Sequence, residues 1–367
     1  GSEMCIRDSE KCAVTDEKVS YSYSELVKLS SSVGTALSEL IVSGDAVGIY
    51  MEKCADAVAA FFATVYAGGF YSVLNTELPQ NRLQTTVSVL NPKVIVTSES
   101  LLETAKEYFS ERKIVTFEDL AKSEPDYAKL GEIRSHKIDT DPLYINFTSG
   151  STGTPKGIVV CHRSVIDFID HFTEIFGIDN NDVIANQAPF DFDVSVKDIY
   201  SAVKTGATLV VVPRRMFSAP AELIDFICDR RITVMIWAVS ALCLISTFHA
   251  LDYRTPETVN KILFSGEVMP LKALKNFRSH LPNAKYVNLY GPTEITCNCT
   301  YHILDNNCDY ADGIPIGKPF PNEDVILLDE NNNRISEVGK VGEICVRGTA
   351  LALGYYSNPE QLSLIHI

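Results

Sequence analysis

The residues 148–157, "TSGSTGTPKG", combine many hydroxyls with almost no side-chain bulk. Thr148, Ser149, Ser151 and Thr152 offer hydroxyl groups, and Lys156 adds a positive charge. Gly150 and Gly153 permit backbone dihedrals that other residues resist. A loop of this kind can turn its N–H groups and hydroxyls inward on an anion. Runs of Ser, Thr and Gly more often form mobile linkers. Here the run follows a short strand, "YINF" at 144–147, and is closed by Pro155-Lys156-Gly157, so it reads as a phosphate cradle. Its spacing is not that of the P-loop, which places Gly-Lys-Ser/Thr together at its end.

The elements that must carry such a loop are legible along the chain. Its 367 residues suffice for two or three domains by length, and 46% hydrophobic with 22% charged residues is an ordinary globular mix. The formal net charge of −15 argues against a general nucleic-acid binder. No apolar run approaches the roughly 20 residues of a membrane span, and "GSEMCIRDSE" is no signal peptide. The ten cysteines are scattered and read as reduced core thiols of a cytoplasmic protein. Residues 1–10 and 362–367 match neither neighbouring pattern and read as tag or artefact.

Between those ends the pattern alternates strand and helix. A helix is expected over 21–40 with Ser24 as its cap, then a strand at "AVGIYM", a helix ended by Gly68 and Gly69, and a strand at "PKVIVTS". After the cradle the order resumes with "SVIDFIDHFTEIF", "GATLVVVP", "PAELIDFICDRR", "TVMIWAV", "VNKILFSGE" and "AKYVNLYGPTE". These strands are too apolar to alternate, as in parallel sheets covered on both faces. From Gly313 the texture changes to short strands and turns, with a hairpin at Asn331 to Asn333. The expected class is α/β, with two packed β-α sheet subdomains and a distorted β-barrel.

Four polar strand-end segments now stand in order: 148–157, "FDFDVSVKDIY" at 190–200, "LFSGE" at 263–267 and "NLYGPTE" at 288–294. With "PIGKP" and "VGEICVRG" they resemble the adenylate-forming superfamily, in particular amino-acid adenylation domains of nonribosomal peptide synthetases and D-alanine:carrier-protein ligases. The resemblance runs from "YSYSEL" to "GYYSNPEQ" in the family's order, and residues 11–361 read as one adenylation core. It implies that an amino acid carboxylate attacks the α-phosphate of ATP, giving an aminoacyl-adenylate and pyrophosphate. A carrier-protein phosphopantetheine thiol then takes the aminoacyl group. Thr148 to Lys156, with Gly266 and Gly291, would hold the nucleotide. Thr293 would donate to the α-phosphate and Glu294 would bind Mg2+, a hard ion that prefers oxygen. Tyr290 would stack on adenine, with Asn288 at its edge.

The resemblance also assigns a substrate pocket: Phe192, Asp193, Val194, Lys197, Ile236, Leu263, Ser265, Leu289, Cys297 and Asn298. Asp193 would pair with the α-ammonium; as a residue alone, it equally suits a helix cap. Lys197 either meets an acidic or amide side chain of the substrate or runs to solvent on its long stem. The family's ribose-gripping aspartate, hinge and small lid domain would follow "GYYSNPEQ". The chain therefore reads as the large N-terminal core, which binds but turns over poorly. The alternatives are an acyl- or aryl-activating acyl-CoA ligase relative and a non-catalytic nucleotide-binding module.

Overall fold

The computed structural model describes residues 9–148 and 155–357. Two large sheets organise the chain. One has nine strands in the order Lys318–Pro319, Thr300–Ile303, Lys285–Tyr290, Lys261–Ser265, Val234–Ala238, Val183–Asn186, Thr208–Val211, Cys12–Thr15, Ser20–Ser22. The other has seven, in the order Gly354–Tyr355, Lys156–Cys161, Pro142–Thr148, Phe70–Val73, Ala46–Tyr50, Val94–Thr97, Ile114–Thr116. Central strands pair in parallel, and antiparallel pairs lie at the flanks. Ala46–Tyr50 and Val94–Thr97 are buried along their whole length, as their unbroken apolar sequence requires. One core cluster draws Val47, Val96 and Tyr144 from the smaller sheet and Ile184, Leu209 and Leu263 from the larger.

The first long helix runs Tyr23–Leu37, and its cap is Ser22 rather than Ser24. The Ser22 hydroxyl accepts from Glu25 N while the Glu25 carboxylate accepts from Ser22 N. The Ser-x-x-Glu spacing of a capping box selects Ser22. After Gly313, Glu323–Leu328, Arg334–Ile335 and Glu343–Gly348 form a three-stranded antiparallel sheet. Its turn is held by Asp329, which accepts from Asn331 N and Asn333 N. No closed barrel is found among the described residues.

Buried charge ties the two large sheets together. Lys53 follows strand Ala46–Tyr50 and donates to Asn186 O and Gln187 O at 2.9 Å and to Val212 O at 3.1 Å. Those carbonyls lie at the ends of two neighbouring strands of the other sheet. Burial pushes the Lys53 amine down to about 7, with the Asp198 charge opposing. Asp198 is fully buried on helix Val194–Thr205 and accepts from Asn186 Nδ2 at 2.7 Å. Its other oxygen has no hydrogen-bond partner among the described residues. Burial pushes the Asp198 carboxyl up to about 7, opposed by Asn186, Lys197 and Lys53.

Lys53→Met would leave three strand-end carbonyls without their ammonium. It should cost about 3 kcal/mol in a urea titration; an unchanged midpoint would show that the sheets do not need the clamp. Asp198 titrates higher folded than unfolded, so its contribution to stability is complete below its ordinary 3.8 and is lost as pH rises through about 7. Asp198→Asn should flatten the stability profile across that window relative to the parent chain. A retained slope would assign the pH dependence to other groups.

Candidate active site

Strands Pro142–Thr148 and Lys156–Cys161 pair antiparallel, with Thr148 directly opposite Lys156. Ser149, Gly150, Ser151, Thr152 and Gly153 lie outside the described residues. The ribbon thus presents a hydroxyl and an ammonium side by side at its open end. The sequence indicated the strand before the cradle; the strand after it is an addition.

The 3-10 turn Thr293–Ile295 follows strand Lys285–Tyr290. Glu294 Oε1 accepts from the Tyr355 hydroxyl at 2.8 Å, and Glu294 O accepts from Ala352 N at 2.8 Å. Lys156 Nζ sits over the Tyr355 ring, 5.3 Å from its centroid. Among the described residues, no protein donor engages the second Glu294 oxygen. An uncommitted carboxylate oxygen suits a hard divalent cation. No cluster of three His, Cys, Asp or Glu side chains suited to a metal occurs among the described residues. A Mg2+ at Glu294 would therefore draw its other ligands from phosphate and water, as that ion commonly does.

Of the other residues expected at a nucleotide, Asn288 and Tyr290 belong to the strand that leads into this loop, and Gly266 follows the neighbouring strand Lys261–Ser265. Tyr290 is 38% exposed at the end of its strand, so its ring is open to a base. Asn288 instead commits its amide to Pro315 O at 2.9 Å. Gly266 has φ +94° and open space where a Cβ would stand. At Gly291 a Cβ would come 2.5 Å from Asn298 Cα, so only glycine lets the Glu294 loop lie against the pocket loop.

Asp193 occupies the N-cap position of helix Val194–Thr205 but makes no side-chain cap bond. Burial pushes its carboxyl up, opposed by the Lys197 charge and by hydrogen bonds from Thr293 and the Val194 N–H; Glu294 adds to the rise. Thr293 thus faces Asp193, the residue expected to hold substrate, besides any role at phosphate. Lys197 has 0% exposure, which excludes the solvent-facing arrangement. Its ammonium donates to Asn298 Oδ1 at 2.7 Å and to Ser265 Oγ at 3.5 Å. Burial pushes the amine down, while Cys297, Asp193 and Asp198 oppose.

Ile236, Leu263, Leu289 and Cys297 belong to the shared core cluster, with Ile236 beside Leu263 in register. Cys297 donates its S–H to Asp193 O at 2.9 Å. Thr296 and Cys297 both have left-handed φ, +47° and +78°. Two successive non-glycine residues in that region are strained, and the Thr296 hydroxyl holds the bend by donating to Ala350 O at 2.6 Å. Phe192 is 56% exposed. With Val194 it borders a cavity of about 1010 Å3, which Lys53, Asn75, Phe190 and Arg214 also line. It opens where strands of both sheets end, the usual place for ligands in α/β sheets. Lys53, Asp198 and Tyr355 are site residues that the sequence did not single out; "GYY" was the one visible signal, for Tyr355.

The AMP-binding enzyme family model matches residues 3–356. The chain is 30% identical over 368 residues to Zwittermicin A synthase ZmaJ of Bacillus cereus, covering 98% of this chain and 68% of that protein. It is 26% identical over 352 residues to a D-alanine--D-alanyl carrier protein ligase of Bacillus licheniformis, covering 94% and 68% respectively. Against the hybrid PKS-NRPS synthetase apdA of Emericella nidulans it is 29% identical over 357 residues, yet spans 9% of that protein. The crystal structure of the nonribosomal peptide synthetase FmoA3 with alpha-methyl-L-serine-AMP bound superposes with a TM-score of 0.87 at 25% identity, covering 98% of this chain and 40% of that one. Since the family model and the ZmaJ alignment each cover nearly the whole of this chain, it belongs to the AMP-binding enzyme family.

Proposed function

We propose that this chain activates an amino acid with ATP as an aminoacyl-adenylate, for transfer in the intact enzyme to a carrier-protein phosphopantetheine thiol. The observation that carries the reading is Asp193. It is a largely desolvated carboxylate at the N-cap position of its helix, and its electrostatic neighbours include Thr293 and Glu294 of the neighbouring loop. An α-ammonium there would relieve its burial. The substrate carboxylate would then lie on the Thr293 side, next to Lys156 and Glu294. Its oxygen attacks the α-phosphorus, the bond to the β-phosphate breaks, and pyrophosphate leaves. Thr148 and Lys156 would hold the departing charge, and a Mg2+ at Glu294 would neutralise part of it. An aryl or acyl substrate would leave Asp193 without an ammonium partner, which disfavours that alternative.

Lys197 narrows the substrate. In the free pocket its charge is balanced in part by Asp193. An α-ammonium on Asp193 competes for that balance. Of three ammonium hydrogens, two have partners, Asn298 and Ser265, both neutral. An acidic or amide side chain would supply both a hydrogen-bond acceptor and, if ionised, the missing charge. Binding equilibria report these pocket roles directly.

Stable aminoacyl-sulfamoyl adenosines, titrated by calorimetry, separate the two pocket roles. Asp193→Ala should weaken glutamyl and alanyl analogues alike, by about 30-fold or more. Lys197→Met should weaken the glutamyl analogue about tenfold while sparing the alanyl one. An unchanged ratio of glutamyl to alanyl affinity in Lys197→Met would end the acidic-substrate reading and leave the amino-acid reading intact; undiminished binding by Asp193→Ala would end the latter. For the nucleotide, Tyr290→Ala should lower AMP affinity about tenfold, the loss of one base stack. Unchanged AMP affinity would move adenine elsewhere.

A further inference from the structure

Lys156 and Glu294 carry opposite charges in one small site, yet no ion pair joins them among the described residues. Tyr355 stands between them. Its hydroxyl donates to Glu294 Oε1 at 2.8 Å, and its ring face receives Lys156 Nζ at 5.3 Å. A phenol can do both at once, because its O–H is a donor and its face is electron-rich. It engages each charge without neutralising either. Direct pairing of the two would withdraw the ammonium from phosphate and the carboxylate from a cation.

The tyrosine is itself firmly placed. Gly354 and Tyr355 pair antiparallel with Val159 and Ile158. Leu353 N donates to Val159 O at 2.8 Å and Tyr356 N to Gly157 O at 2.7 Å, which fixes the strap to the phosphate ribbon. Ala352 N donates to Glu294 O at 2.8 Å, and Ala350 O accepts from Thr296, which fixes it to the Glu294 loop. We propose that Tyr355 is a positioning residue: it holds one Glu294 oxygen so that the other meets a divalent cation, and it keeps Lys156 apart from that carboxylate for phosphate. The proposal rests on the reading of Glu294 as the cation's carboxylate.

Binding of Mn2+ to the chain with a non-hydrolysable ATP analogue, followed by electron paramagnetic resonance, tests it. Nucleotide binding in chelator is measured in parallel. Tyr355→Phe keeps the ring and its strand pairing and removes only the hydroxyl. It should weaken Mn2+ about 10–100-fold, the range for outer partners of metal ligands, with metal-free nucleotide affinity within about twofold. Tyr355→Ala frees Lys156 as well and should weaken nucleotide even without metal. Glu294→Gln is the control. If it leaves Mn2+ affinity unchanged, the carboxylate reading fails and the proposal with it. If Glu294→Gln weakens Mn2+ and Tyr355→Phe does not, the proposal alone is overturned. Thermal melts of each variant identify a loss of fold, and the Phe variant, which loses no packing, keeps the comparison decisive.

Discussion

Two adjacent residues of opposite charge, Lys197 and Asp198, are carried to zero exposure by one helix, and much of the site depends on how that burial is compensated. Successive helical residues point about 100° apart, so the two charges address different neighbours. Asp198 turns to Asn186 at the end of a strand, within the field of Lys53. Lys197 turns to Ser265 and Asn298, which lie on two other segments. The helix is thereby pinned from both sides. Asp193, at its first turn, inherits a fixed position. A buried charge whose partners are removed costs far more than the pair contributes, so the arrangement holds or fails as a unit.

Compensation around Lys156 and Glu294 works differently. There the charged groups stay half-exposed, with the ring and hydroxyl of Tyr355 set between them. The helix at Val194 fixes its charges by desolvation, and the Lys156–Glu294 loops leave theirs partly open. Thr293 joins the two regimes, because it belongs to the Glu294 loop and opposes the rise that burial imposes on the Asp193 carboxyl. Gly291 permits the join by letting two backbones approach without a side chain between them.

The sheets were legible because buried parallel strands are apolar along their length, as in "AVGIY" and "VIVT". The residues assigned to a pocket followed from the resemblance, and among them Cys297 is bonded to Asp193 and Ser265 and Asn298 to Lys197. Other features were hidden for identifiable reasons. Lys156–Cys161 pairs across a seven-residue connection that lacks a tight hairpin's turn signature, so "KGIVVC" did not announce a strand. Whether Lys197 met a pocket or water depended on segments 68 and 101 positions away. Lys53 acts on carbonyls 133 to 159 positions distant, and nothing in "MEKC" signals it. The helix cap was readable but misplaced by two residues, since Ser22 and Ser24 differ only in which one has a glutamate three positions on.

The place of the first strand has a consequence for how the chain is made. Cys12–Thr15 lies against Thr208–Val211, and the Thr208 hydroxyl donates to Cys12 O across 196 positions. A ribosome adding about 5–20 residues each second needs roughly 10–40 s to deliver that partner. Throughout that interval the opening segment must wait with its backbone unpaired on the side that Thr208–Val211 will cover. The smaller sheet's parallel core, from Ala46–Tyr50 to Ile114–Thr116, can assemble in the meantime. A nascent chain stalled between the two events would show an ordered sheet with a free leading strand, the state most open to chaperones and to pairing with a neighbouring chain.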